Sequence, residues 1–429
     1  MRNKVLVGDL IIDHFKGVTP KYAEVSNTIV LNQKCIRDNR IYWDLARHID
    51  ESQTFSEKKY LKMGDILINS TGVGTAGRCT YLNEIPNGYK LVTDSHILVL
   101  RCKDQFIAEL LAYYLFSIEE KLMSFMTGSS GQGELDKMVL FQIETLFPVK
   151  EIESKQIAKV LSDLDAKIEL NNKINAELED MAKLIYDYWF VQFNYPGKNG
   201  KPYKSSGGKM VYNAELKREI PEGWEVVELQ DIANITMGQS PPGDSYNEEG
   251  IGKVFYQGCT DFGSRFPTNR KFTTQPSRHA LEGDILLSVR APVGTMNIAN
   301  EDCCIGRGLA ALNSKIGSIS YLDGVLRYLK QVFDRRNTDG TTFGSITKGD
   351  LFSLLVIKPN DDVLKNYNSI VHPMFEKQNK IGLENQHLSS LRDWLLPMLM
   401  NGQVSVRTAY EKLEEVELGV AAEGEGEYK

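Results

Sequence analysis

The chain has 429 residues, 42% of them hydrophobic and 25% charged, a composition that supports packed cores and excludes wholesale disorder; the length suits roughly two to four domains. No apolar run reaches the ~18 residues of a membrane-spanning helix, so a soluble, cytoplasmic, non-exported protein is expected. The formal charge of −7, taken alone, argues against a nucleic-acid partner, because phosphate binding normally leaves a basic footprint.

In chain order, residues 1–150 read as short apolar runs separated by Gly, Pro, Asn and Asp, a mixed strand-and-loop domain. One helix is predicted inside it over 106–126, with Leu110, Leu111, Tyr114, Leu115, Ile118 and Leu122 at helical spacing. Residues 151–193 follow as a long helix. Steps of four and three from Ile157 give Leu161, Leu164, Ile168, Asn171, Asn175, Leu178, Ala182, Ile185 and Trp189, a coiled-coil seam, and a helix from about Ile152 to Phe190, roughly 39 residues, would be about 58 Å long. Its aromatic end, Tyr186-Asp187-Tyr188-Trp189-Phe190, is either a partner surface or a cap on the local core.

Residues 194–220, rich in Gly, Pro, Ser and Lys, read as an exposed linker. A second domain over 221–360 repeats the strand pattern and places a helix at 321–333. A second long helix over 361–403 has a seam at Leu364, Tyr367, Val371, Met374, Gln378, Ile381, Asn385 and Leu388. Pro373 inside it predicts a start or a kink, and Asp361 and Asp362 suit a helix N-terminus. The tail, 404–429, holds seven Glu against Arg407, Lys412 and Lys429 and is expected to be disordered; it carries more than half of the negative charge.

The two halves are copies of one unit. Gly64-Asp65-Ile66-Leu67 matches Gly283-Asp284-Ile285-Leu286, Asp94 to Leu100 falls on Gly306 to Leu312, Leu146-Phe147-Pro148 on Ile357-Lys358-Pro359, and Asn172-Lys173-Ile174 on Asn379-Lys380-Ile381. The offset drifts from 219 (Gly64 to Gly283) to 207 (Asn172 to Asn379) while the order is kept, the mark of a repeat with loop insertions. Asn171 and Gln378 are equivalent under it. If the helices pack antiparallel about a pseudo-twofold axis, these amides are expected to meet near its centre and fix the register; the alternative is two amphipathic helices, each packed on its own domain.

Catalytic signatures are missing. Gly72-Val73-Gly74-Thr75-Ala76-Gly77 fits a dinucleotide fingerprint, but no helix follows it and the second copy reads Ala291-Pro292-Val293-Gly294. The six cysteines show no Cys-x-x-Cys and the histidines no paired metal spacing, so no metal and reduced thiols are expected. What remains is a set of hydrogen-bonding side chains in loops of both copies. In the first these are Lys21, Tyr22, Gln33, Arg37, Asn69, Ser70, Thr71, Arg78, Ser95 and His96. In the second they are Gln239, Ser240, Ser245, Tyr246, Gln257, Arg265, Arg290, Arg307, Thr341 and Thr342. Such side chains hold phosphates and read base edges.

Pro221-Glu222-Gly223-Trp224-Glu225-Val226-Val227-Glu228-Leu229, then Thr236-Met237-Gly238-Gln239-Ser240-Pro241-Pro242, the paired Gly-Asp-Ile-Leu strands and the linker Gly200-Lys201-Pro202-Tyr203 resemble the specificity subunit of type I restriction-modification systems. The first copy starts at Val5-Leu6-Val7-Gly8-Asp9 without the Pro-x-Gly-Trp lead. The resemblance implies a mixed α+β fold with two pseudo-twofold-related target recognition domains joined by two long antiparallel coiled-coil helices. It implies that each domain reads half of a split double-stranded DNA target and that the helices set the gap and dock two modification (methyltransferase) subunits, through which restriction subunits join. The chain itself would be non-catalytic and hold no cofactor, with S-adenosylmethionine, ATP and Mg on the partner subunits. No Asn-Pro-Pro-Tyr or Asp-Pro-Pro-Tyr tetrapeptide for holding a flipped adenine is present. A fused methyltransferase or nuclease, and a coiled-coil scaffold without a DNA role, are the competing readings.

Overall fold

The computed structural model describes residues 2–72, 74–127, 133–148, 151–330, 333–334 and 344–425. They divide into two compact units, Met1–Ile168 with His387–Glu425, and Glu169–Gln386.

In the first unit a four-stranded antiparallel sheet runs in the order Ile11–Lys16, Ile97–Cys102, Ile66–Asn69, Cys79–Tyr81. In the second the order is Ala233–Met237, Leu309–Ser314, Ile285–Ser288, Met296–Ile298. These are repeat-equivalent strands in the same positions. Each unit adds one parallel pair, Thr28–Leu31 with Lys90–Thr93 and Lys253–Tyr256 with Cys303–Ile305. Each also has an antiparallel pair that joins the start of its domain to the end, Arg2–Leu6 with Glu144–Pro148 and Glu225–Glu228 with Leu355–Lys358.

The shared Gly-Asp-Ile-Leu run builds the same turn twice. Gly64 and Gly283 sit at φ 89° and 83°, a region that favours glycine. The next residue's carboxylate accepts the amide of Lys62 (2.8 Å) in one copy and of Leu281 (2.9 Å) in the other. Arg101 then clasps buried Asp65 through Nε and Nη2, at 2.8 and 2.7 Å, where Asn313 donates to Asp284 at 2.6 Å. The strands that follow, Ile66-Leu67-Ile68 and Ile285-Leu286-Leu287, are fully buried.

Helix α1 (Gln105–Ser117) buries Leu110, Leu111 and Leu115. The predicted helix to 126 breaks at Ile118 (φ −115°, ψ 18°) and resumes as Glu119–Ser124. The long helices are α2 (Glu151–Tyr186) and, after α3 (Ile319–Tyr328), α4 (Asp361–Asn401). Helix α4 runs through Pro373 and starts where Asn360 Oδ1 caps the Val363 amide at 3.0 Å. A proline removes one donor and clashes with the preceding turn, but here the cap and the apolar seam specify a single helix.

Within the first unit, Ile157, Leu161, Leu164 and Ile168 pack with Leu388, Leu395 and Leu399, and Arg392 Nη1 reaches Asp165 Oδ1 at 2.8 Å. Within the second, the seam is amide-rich. Asn171 Nδ2 donates to Asn385 Oδ1 (2.9 Å) and Glu384 Oε2 (3.0 Å), Asn385 Nδ2 to Asn172 Oδ1 (2.9 Å), and Gln378 Nε2 to the Asn175 carbonyl (3.3 Å). Asn171 and Gln378 are both buried but do not bond each other as expected. Residues rise along α2 as they fall along α4, and the residue opposite Asn171 is Asn385, one heptad from Gln378.

Two further expectations change, at residues 194–220 and in the tail, and the aromatic end takes one of its two readings. Residues 194–220 are an ordered element: Met210–Asn213 pairs with Arg218–Pro221, and Tyr195 stacks on Tyr203 and Trp224 with centroids at 4.7 and 5.0 Å. Trp189 and Phe190 are buried in the core of the second unit, which leaves Tyr188 of that aromatic run on the surface. The tail forms helix α5 (Val406–Glu425). Ala409, Leu413 and Val416 fall on one face against the core of the first unit, and Tyr410 Oη donates to Asp163 Oδ2 at 3.0 Å, while Glu411, Glu414 and Glu415 are exposed, the two faces of an amphipathic helix.

A candidate nucleic-acid interface at the loop end of each domain

The loops that carry the candidates hang on one backbone frame, built twice. In the second unit, the amides of Val289, Gln239, Gly306 and Ile346 donate to the carbonyls of Gly308, Ile305, Tyr256 and Val289, at 2.8–3.0 Å. In the first, the amides of Ser70, Val18, Asp94 and Leu135 donate to the carbonyls of His96, Thr93, Leu31 and Ser70, at 2.8–2.9 Å. The closest approach is the same in both copies: a Cβ at Gly238 would come to 2.2 Å from the Gly306 carbonyl oxygen, and one at Gly17 to 2.1 Å from that of Asp94. On this frame Thr71 stands where the second copy has Arg290, and Ser95 where it has Arg307.

In the second unit the frame gathers Gln239, Ser240, Gln257, Arg290 and Arg307. Ser240 Oγ accepts from Gln257 Nε2 (3.1 Å) and from the Arg307 amide (3.4 Å), and Ser277 Oγ donates to the Gln239 carbonyl (2.6 Å). Arg290, next to the Val289–Gly308 contact, pairs by backbone with Ser345. The side chains of Gln239, Gln257, Arg290 and Arg307 are exposed. Tyr246 stacks on Phe255 with centroids at 4.9 Å and donates to the Pro241 carbonyl at 2.9 Å, stiffening the loop from beneath.

In the first unit the gathered side chains are Gln33, Thr71 and His96. Gln33 Nε2 donates to Thr71 Oγ1 at 2.7 Å, and that oxygen lies 2.8 Å from His96 Nδ1. Asp94 Oδ1 accepts the His96 amide at 3.0 Å, and burial pushes its carboxyl up. Ser95 is half-buried beside it. Arg78 lies close enough to Glu119 to oppose the upward push that burial gives that carboxyl, so its charge is partly spoken for. Lys21, Tyr22 and Arg37 are exposed, the first two adjacent at the strand Tyr22–Ala23 and the third in the strand Ile36–Arg37. The Lys21 amide bonds Gln53 Oε1 at 2.6 Å, and Arg37 faces Arg40 across a two-residue turn.

Four expected contacts turn inward. Asn69 donates to the Gln33 carbonyl (3.1 Å), Ser70 to the His96 carbonyl (2.9 Å) and Ser245 to the Pro242 carbonyl (2.6 Å), and all three are buried. Arg265 is 7% exposed and bonds Asn379. Short polar side chains at strand ends satisfy loop carbonyls as readily as they face solvent, so residue type did not separate the two. Thr341 and Thr342 lie outside the described residues. Arg47, whose guanidinium sits 3.4 Å from the Tyr22 ring centroid, and Arg278, whose carbonyl receives the Ile305 amide, are further exposed cations at these loop ends. Neither sits in a repeated motif, so the sequence offered no signal for them.

The type I restriction modification DNA specificity domain matches twice, over residues 15–180 and 221–391. The chain belongs to this family. A type I restriction enzyme specificity subunit of Methanocaldococcus jannaschii designated MjaX is 34% identical over 284 residues, 65% of this chain and 63% of that protein, just under two thirds of its length. The MjaIX specificity subunit of the same organism is 28% identical over 337 residues, 71% of each chain. In fold, the chain is similar to the crystal structure of the S subunit from M. genitalium, with a TM-score of 0.54 at 17% identity over 93% of this chain and 96% of that one. The chain carries two DNA specificity domains, each with the same loop frame. No helix of its described residues is long and apolar enough to cross a membrane.

Proposed function

We propose that this specificity subunit is the DNA-reading, non-catalytic chain of a cytoplasmic type I restriction-modification complex. Each recognition domain reads one half of a bipartite double-stranded target through its loop end, and the long helices set the spacer. In the second domain the readers are Gln239, Ser240, Gln257, Arg290 and Arg307, backed by Tyr246. In the first they are Gln33, Thr71, Ser95 and His96, with Lys21, Tyr22, Arg37 and Arg78 placed to hold backbone. The observation that carries this is the repeated frame with exchanged side chains. One scaffold offers arginines at two positions in one copy and Thr71 and Ser95 at the same positions in the other, which suits two half-sites of different sequence.

The docking face for modification subunits is the outer side of α2 and of the helical turn Asp187–Val191 that continues it. Leu170, Ile174, Met181, Leu184 and Tyr188 are all 38% or more exposed and recur at steps of four, seven, three and four, the stripe that a partner helix covers. Methyl transfer and ATP-driven restriction, with their S-adenosylmethionine, ATP and Mg, belong to the partner subunits. The test is salt-dependent binding to a split site in the assembled complex. Arg290→Ala with Arg307→Ala is expected to lose recognition of the second half-site; unchanged binding contradicts the assignment.

A further inference from the structure

Arg265, whose type suggested a DNA contact, does something else. Its Nε donates to Asn379 Oδ1 on α4 at 2.9 Å, and its guanidinium carbon lies 4.4 Å from the Phe375 ring centroid. Only 7% of the residue is exposed, and one guanidinium nitrogen, Nη2, has no hydrogen-bond partner among the described residues. Burial lowers its pKa to about 10. Burying an arginine this deeply is costly unless its geometry is closely held. The loop around it continues the contact. Phe266 lies against Gly382, where a Cβ would come within 2.6 Å of the ring. Gln386 Nε2 reaches the Pro267 carbonyl at 3.4 Å, and Gln386 Oε1 accepts from Asn300 Nδ2 at 3.3 Å. The loop is itself braced by Asn297, bonded to the amide and carbonyl of Gly263 at 3.1 and 3.0 Å, and by the Ile298 amide on the Arg265 carbonyl at 3.0 Å.

The α4 residues in this contact are Phe375, Asn379, Gly382 and Gln386, at steps of four, three and four. They form one stripe of the helix, beside the seam residues Gln378, Ile381 and Asn385. The repeat-equivalent positions on α2 are used differently: Asn172 bonds Asn385, the Asn175 carbonyl bonds Gln378, and Glu179 pairs with Arg327 of α3.

We infer that the loop 263–267 is a clamp that fixes the second recognition domain at one height on α4, with Arg265 and Gly382 as its positioning residues, so that they govern the accepted spacing of the DNA target and not its bases. This rests on the reading of the chain as a bipartite DNA specificity subunit. A domain seated on a stripe of one aromatic, one amide, one glycine and one glutamine has a single matching position along the helix, because a shift by a turn puts Phe266 against a side chain.

The test is genome-wide mapping of methylated adenines in cells expressing the full system with the wild-type chain, Arg265→Ala, Arg265→Lys, Gly382→Ala or the milder Gln386→Ala. The wild type is expected to methylate one spacer length. Arg265→Ala and Gly382→Ala should raise methylation of sites one base pair longer or shorter by about tenfold, with both half-site sequences unchanged. Arg265→Lys lacks the planar fork and should fall between, and Gln386→Ala, which keeps the arginine and glycine contacts, covers the case in which the other variants fail to accumulate. Unaltered spacer preference in every variant that accumulates overturns the clamp, as does a changed base preference in the second half-site, which would make Arg265 a reader. A wild-type chain that methylates no bipartite site overturns the functional reading underneath instead.

Discussion

Arg307 offers the sharpest test of how the second domain reads DNA. Its backbone is pinned by its own amide on Ser240 Oγ and by the Val289 amide on the carbonyl of the next residue, Gly308, while its side chain is exposed. Arg307→Ala therefore removes an arm and leaves the frame standing, and a surface truncation of this kind changes stability by no more than about 0.5 kcal/mol. If the guanidinium bonds a base edge, its loss costs about 1–3 kcal/mol of discrimination, roughly a 5- to 150-fold drop in affinity for the cognate half-site. The drop is confined to one base pair: a duplex mutated at that pair binds wild type and variant equally. If the guanidinium holds a phosphate, all duplexes weaken together and the slope of log K against log salt falls by about 0.9. Fluorescence anisotropy of the assembled complex on matched and mutated duplexes, across a salt series, separates the two. Equal affinity, base preference and salt slope in wild type and variant would refute the placement of Arg307 at the interface.

Four other outcomes follow from the same structure. Ser95→Arg, which gives the first copy the arginine that the second has on the same frame, should change base preference in the first half-site alone, read by adenine-methylation mapping. Asp65→Ala strips a buried carboxylate from Arg101 and should destabilise the chain by about 3–5 kcal/mol; Asp284→Ala, facing the neutral Asn313, should cost about 1–3 kcal/mol, both measured by urea unfolding. Asn385→Ala takes one partner each from buried Asn171 and half-buried Asn172 and should lower the melting temperature, whereas replacing Asn171 and Asn385 together by Leu should recover most of it. Adding seven residues to each long helix, after Ile168 and after Gln386, lengthens each by about 10.5 Å and should lengthen the target spacer by about three base pairs at ~3.4 Å each; an unchanged spacer contradicts the role given to the helices.

The repeat, the seam and the Gly-Asp turn were legible because each is a local pattern with a fixed period or a fixed turn geometry. Ile157, Leu161, Leu164 and Ile168 are buried as their spacing demands. The register between helices was less so: period alone says that Asn171 faces the partner helix, but the residue opposite depends on where distant segments dock, and that shifted its partner by a heptad. The tail misled because seven glutamates dominate its composition while Ala409, Leu413 and Val416 carry its packing. Type and clustering picked out Gln239, Gln257, Arg290 and Arg307, which the fold exposes at one loop end, but equally Asn69, Ser70, Ser245 and Arg265, whose side chains it turns towards loop carbonyls or α4. The charge of −7 proved uninformative about DNA, since the seven Glu of the tail against Arg407, Lys412 and Lys429 supply more than half of it, while the loop end of the second domain exposes Arg290 and Arg307.

Genome-wide mapping of methylated adenines in cells with and without this chain, partner subunits held constant, tests the central claim most directly. The predicted result is a set of methylated sites that appears only with the chain and shares one two-part sequence with a constant spacer, its second half altered by Arg290→Ala and Arg307→Ala and its first by Ser95→Arg. Methylation that is the same in both cell lines, or sites sharing a single uninterrupted sequence, would contradict it.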